Sequence, residues 1–140
     1  MMVWDTNVVS ELMRPEPSEE VVAWTDRQPV DEVFITAITV GELLYGIGRL
    51  PPGRRRNELA GALDLMLAED FERRVLAFDG VAAAHYADLV VQRERIGRPI
   101  SMADAQIAAI CRSHGAMVAT RNVDDFADVG VDIVNPSIAS

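Results

Sequence analysis

The chain contains no lysine; all thirteen of its basic residues are arginine. A phosphate-loop nucleotide binder needs its lysine and Schiff-base chemistry needs a free amine, so both are excluded. Any phosphate this protein recognises must be met by guanidinium, metal or backbone. Cysteine is almost missing as well. The lone Cys111 cannot form an internal disulfide, and its helical spacing from Ile107 and Ala108 reads as a small core residue rather than a nucleophile. No apolar run approaches the ~20 residues of a membrane span, and the opening Met-Met-Val-Trp-Asp lacks a basic region followed by a long apolar stretch. The sequence therefore predicts a soluble, cytoplasmic protein. Of the two histidines, His85 falls on the polar stripe of a helical pattern and is expected to be exposed. His114, beside Gly115, reads as a helix C-terminal residue that interacts with the helix dipole.

What is present suits one globular unit. A chain of 140 residues can bury about two-thirds of its unfolded surface around a single core, and a single domain over residues 1–140 is expected. The net charge of −9 opposes a general nucleic-acid binder, whose affinity comes mainly from neutralising phosphates. Two routes remain open to a phosphate substrate or a charged partner: metal ions can neutralise clustered acids, or a basic protein can use the negative surface.

Short β-type runs alternate with helical patterns along the sequence. They cover Met2 to Asp5, Val33 to Thr36, Arg74 to Phe78, Met117 to Thr120 and Asp132 to Val134. Strands separated by helices predict an α/β fold whose parallel sheet is covered by helices on both faces. Ligands in such folds bind beyond the carboxyl ends of the strands, where strand order reverses. Pro15 and Pro17 end a first helix, Ser18 starts a second, and Leu50-Pro51-Pro52-Gly53 divides a third from a long fourth running toward Asp70. Between Val81 and Ile96 the apolar arc is wider than one sheet face requires, which predicts packing by another helix or a subunit contact.

Four acidic stations stand out. Asp5 directly follows an apolar strand; it can cap a helix, but Thr6 or Asn7 could do that instead. Glu42 follows Thr39 in a capping-box spacing, so a helix cap and a functional acid are both open readings. Gly46, one turn on, leaves the backbone bare on the same side. Asp104 follows Ser101 in the same spacing, yet it borders an apolar face of Ile107, Ala108 and Cys111, where a carboxylate is costly unless paired or bound to a cation. Asn122 and Asp125 lie in a polar turn after the fourth strand, which ordinary turn chemistry also explains. Asp79, before Gly80, reads as a turn two strands away. Hard oxygen ligands without histidine suit Mg²⁺ or Mn²⁺ better than zinc.

Four segments taken together are specific. Val3-Trp4-Asp5-Thr6-Asn7-Val8-Val9-Ser10-Glu11, Ile38-Thr39-Val40-Gly41-Glu42-Leu43, Ala103-Asp104-Ala105-x-Ile107-Ala108 and Ala119-Thr120-Arg121-Asn122-x-x-Asp125-Phe126 occur in order across the whole chain. The set resembles the PIN-domain ribonucleases and, more narrowly, the VapC/FitB-type toxins of toxin-antitoxin modules. That resemblance implies a three-layer α/β/α fold with a central parallel sheet, order 3-2-1-4-5, and cleavage of RNA with Mg²⁺, or alternatively Mn²⁺. Asp5, Glu42 and Asp104 match the three core acids, and Asn122 stands where many relatives have Asp, with Asp125 the nearby acid. Asp5 and Asp104 would hold a first ion, with Glu42 and Asn122 or Asp125 supporting a second. Thr6, Asn7 and Thr120 would fix the acids by hydrogen bonds, and Arg121 could steady a phosphate. The resemblance also implies a homodimer and an inhibiting antitoxin protein. Three rivals remain. An aspartyl-nucleophile phosphatase would want an acid at Asn7, a receiver domain phosphorylated at Asp79 would want a lysine, and a degenerate binding module would keep the fold without activity.

Overall fold

The structure is a computed structural model that describes residues 1–138. Five short strands make one parallel sheet: β1 (Met2–Trp4), β2 (Val33–Thr36), β3 (Val75–Leu76), β4 (Met117–Ala119) and β5 (Ile133–Val134), in the order β3-β2-β1-β4-β5. The expected order holds. The third strand is shorter than the sequence run, because the chain leaves the sheet after Leu76 and Asp79 caps the following helix through the Ala82 amide. Six helices cover the sheet: α1 (Thr6–Leu12), α2 (Glu19–Asp26), α3 (Ala37–Gly48), α4 (Arg54–Leu65), α5 (Gly80–Arg95) and α6 (Met102–His114). A π-helical turn over Met66–Asp70 prolongs α4 as far as the sequence pattern suggested.

The central strands β1, β2 and β4 are buried on both faces, so alternate residues serve different cores. Val3 packs with Leu89, Ile107, Val118 and Phe126 under α5 and α6. Its neighbour Trp4 points the other way, into Val8, Val21, Trp24, Leu43 and Phe71 under α1 to α4, and meets Phe71 edge-on at 5.9 Å between ring centroids. Cys111 is fully buried, and burial pushes its thiol up to about 12, so it is a core residue. Gly115 takes the left-handed conformation that closes α6, with Arg112 and His114 in the last turn. His85 is half-buried rather than exposed, because α5 lies close along α6. Part of the wide apolar arc of α5 stays uncovered, with Val81 and Val91 exposed.

The register places the site. Trp4 pairs with Ala119, and the Asp5 amide continues the ladder to the Ala119 carbonyl at 2.9 Å, so Asp5 and Thr120 emerge side by side. Strand order reverses between β1 and β4, which makes this the ligand-binding end of the sheet. Ile107 is fully buried beneath it. Truncation by Ile107→Ala is expected to cost about 2–5 kcal/mol in urea unfolding, whereas a change under 1 kcal/mol would mean the α6 face is not part of the core.

Candidate active site

Asp5 occupies the N-cap position of α1 but makes no capping bond there. Its side chain is taken up elsewhere: Oδ2 accepts from Thr120 Oγ1 at 2.9 Å and from Asn7 Nδ2 at 2.8 Å, leaving Oδ1 without a side-chain donor. Thr120 Oγ1 also accepts from the Asn7 amide at 3.1 Å and from the Asn122 backbone N–H at 3.0 Å. Because that hydroxyl has one proton and spends it on Asp5, the network fixes its direction.

Glu42 resolves against the capping box. Helix α3 starts at Ala37, and its cap is Thr36, whose hydroxyl accepts from the Thr39 amide at 3.2 Å. Thr39 is therefore already inside the helix and cannot be the cap that Glu42 would complete. Instead, Glu42 Oε1 accepts from Thr6 Oγ1 at 2.7 Å, and Thr6 is within 2.9 Å of Thr39 Oγ1. Thr6, the first residue of α1, thus ties α3 to α1.

Asp104 does stand in the capping spacing, and its amide donates to Ser101 Oγ at 3.2 Å. The half-buried carboxyl remains an electrostatic liability all the same. Burial raises its pKa most, Asp125 and Glu42 raise it further, and the Ser101 hydroxyl and the nearby Arg93 oppose the shift. Asp5, only 4% exposed, is pushed from 3.8 to about 6, mainly by burial, with Asp104 and Glu42 adding repulsion against the relief from Thr120 and the Thr6 backbone. Asp104 and Glu42 thus act on Asp5, and Asp125 and Glu42 act on Asp104. Asn122 is exposed, and only its backbone enters the network. Its side chain lines a shallow cavity of about 390 Å³ with Arg121, Asp125 and Asn135.

Two positioning side chains escape a reading of motifs. Glu11, 3% exposed, receives the Ser18 amide at 2.8 Å, Arg121 at 2.8 Å and Arg14 at 3.3 Å. The Ser18 amide first, then Arg121 and Arg14, hold its carboxyl below the usual range. Arg121 is thereby clamped, and its backbone N–H donates to Asn7 Oδ1 at 3.3 Å, which turns the Asn7 amide toward Asp5. Arg93, 4% exposed, donates to the carbonyls of Arg98, Asp125 and Ala127 and so staples the turn that carries Asp125. The signal for it was periodicity: Ala82, Leu89 and Arg93 share one buried face of α5.

Among the described residues, no three acidic, histidine or cysteine side chains are gathered tightly enough to enclose one ion by themselves. Magnesium does not require that, since it is usually held by one or two carboxylates together with waters and substrate phosphate. The donors here are all oxygen, and one is a costly buried carboxyl with an oxygen that lacks a side-chain donor. The residues present fit a hard divalent cation.

Sequence and structure comparisons identify the family. The PIN domain family matches residues 2–132. The chain is 43% identical to the VapC ribonuclease Y4jK of Sinorhizobium fredii over 97% of both chains, and 40% identical to the toxin FitB of Neisseria gonorrhoeae over 97% of this chain and 98% of that one. A solved structure of FitAB bound to an IR36 DNA fragment superposes with a TM-score of 0.94 at 37% identity, covering all of this chain and 98% of the other. The chain belongs to the PIN-domain family. Within that family, it stands with the VapC/FitB-type toxins.

The raised pKa of Asp5 has a definite sign. The folded state binds a proton that the unfolded state releases between about pH 4 and 6, so the cost of the ionised group is absent below 3.8 and complete above about 6. The shift corresponds to about 3 kcal/mol. In chelator-treated protein, Asp5→Asn is expected to be more stable than wild type at pH 7 by up to that amount, with the gap closing by pH 4 in thermal unfolding. A destabilised Asp5→Asn at pH 7 would contradict the burial cost.

Proposed function

We propose that the protein is a divalent-metal-dependent endoribonuclease, the toxin of a toxin-antitoxin pair, working as one domain in the cytoplasm with Mg²⁺, or alternatively Mn²⁺. The observation that carries the reading is the buried Asp5 carboxyl, fixed by Thr120 and Asn7 and repelled by Asp104 and Glu42. Such a group carries its negative charge at a cost that a bound cation would offset. Asp5 and Asp104 would hold the ion, with Glu42 and Asp125 or Asn122 at hand when a phosphate arrives. A bound divalent ion supplies charge that activates water and stabilises the departing oxygen.

The chain's own residues do the rest. Thr120 and Asn7 keep Asp5 in one rotamer, and Thr6 holds Glu42 at the mouth, where it can orient water or take a proton from it. Arg121, clamped by Glu11, remains a third exposed and able to meet a phosphate oxygen. The relatives named as ribonucleases and the FitAB structure support an RNA substrate and an antitoxin partner. No helix among the described residues is long and apolar enough to cross a membrane. Leu44 and Tyr45 on α3 and Val81 and Val91 on α5 are exposed apolar side chains, which support a homodimer.

Purified protein is expected to cut single-stranded RNA in Mg²⁺ or Mn²⁺, with chelator stopping the reaction. Asp104→Asn should lower the rate by at least ~10²-fold, the scale of losing an electrostatic catalytic group, while circular dichroism stays unchanged. A folded wild type that leaves every RNA intact with either metal would overturn the assignment. Thr120→Val removes the hydroxyl that orients Asp5, and with it the bonds accepted from Asn7 and the Asn122 N–H. It should fall between the two in rate, and a rate equal to wild type would strip Thr120 of its role.

A further inference from the structure

A groove of about 330 Å³ opens beside the acids, between α1, α3 and α4. Thr6 and Glu42 line it, so it is continuous with the candidate active site. Its floor is apolar, built from Leu43, Ile47 and Leu59, while Arg14 and Arg55 also border it. Arg55 makes no ion pair among the described residues. It belongs to the run Arg54-Arg55-Arg56 that opens α4, where Gly53 gives no side-chain cap and no acid lies in the first turn. Arg54 is paired with Glu58 at 2.8 Å, but Arg55 and Arg56 stand without an ion pair among the described residues on the positive end of the helix, which is unfavourable for the helix itself. An anion placed there offsets both.

We infer that this groove seats the nucleotide next to the cleaved bond, an unpaired base resting on the Leu43, Ile47 and Leu59 floor with its phosphate between Arg14 and Arg55. The inference rests on the ribonuclease reading and extends it to substrate choice. Charge complementarity selects RNA over a peptide. A chain of net charge −9 must bring a polyanion across a cluster of acids, and the cations that offset that repulsion border the same groove as the apolar floor. A base presents a flat apolar face to such a floor, and its backbone presents phosphate to guanidinium.

Gly46 provides a clean test. It lines the groove on an exposed part of α3, and a Cβ added there meets nothing within 4 Å. In a helix interior, glycine is also the poorer helix former, so Gly46→Leu should fold at least as well as wild type while blocking the groove. Wild type, Gly46→Leu, Gly46→Ala and Arg55→Ala are compared on a pool of unstructured randomised RNA in Mg²⁺, with initial rates, sequenced cut ends and thermal unfolding. Gly46→Leu is expected to raise KM about tenfold or more and to flatten the base preference at one position beside the cut, with Tm unchanged or higher. Gly46→Ala should show a smaller version of both effects. Arg55→Ala should raise KM and retain the preference. Wild-type cleavage with Gly46→Leu equal to it in KM and preference overturns the inference and assigns the groove to a protein segment. RNA left intact by wild type itself overturns the ribonuclease reading and this inference with it.

Discussion

A carboxyl group buried at the end of the middle strand sets the terms for everything around it. Asp5 is 4% exposed and is repelled by Asp104 and Glu42, so its ionised form is expensive in the protein alone. At 4 Å, two like charges repel by about 4 kcal/mol near a protein surface. The fold tolerates that cost because the sheet leaves no alternative. The Asp5 backbone is held by the β4 ladder, and its side chain is held by Thr120 from the neighbouring strand. A site built this way stores a demand for positive charge at the one place where strand order reverses.

The supporting shell explains why the acids cannot relax apart. Thr120, Asn7, Thr6 and Thr39 link β1, α1, α3 and the chain after β4 through hydroxyl and amide groups whose donors are all engaged. Two buried charged residues anchor the periphery. Glu11 fixes Arg121, and Arg93 fixes the turn carrying Asp125 by donating to main-chain carbonyls. Both are satisfied by several hydrogen bonds, which is the condition under which a charge can be buried.

Much of this was legible in the sequence. Alternating strand and helix patterns identified the parallel sheet, its order followed from the family resemblance, and an acid placed after an apolar strand picked out Asp5. Asp104 was legible because its carboxyl borders Ile107, Ala108 and Cys111, all of which are buried. Glu42 was ambiguous, since Thr36 and Thr39 are both good caps. The choice between them is made by where β2 ends, which is a tertiary matter. Arg93 and Glu11 were hidden because charged residues are normally solvent-facing. Only the helical spacing of Arg93 from Leu89, and of Glu11 from Val8, hinted that they lie on buried faces.

The central claim is that the pocket around Asp5 is completed by a divalent cation. Calorimetric titration of Mn²⁺ into the chelator-treated protein at pH 6, repeated in buffers of different ionisation heat, tests it most directly. The account predicts binding accompanied by proton release, because the ion displaces the proton that Asp5 partly retains at that pH. It also predicts that Asp5→Asn weakens the binding and removes the proton release. Absence of binding in wild type, or binding of equal strength and proton release in Asp5→Asn, would contradict it.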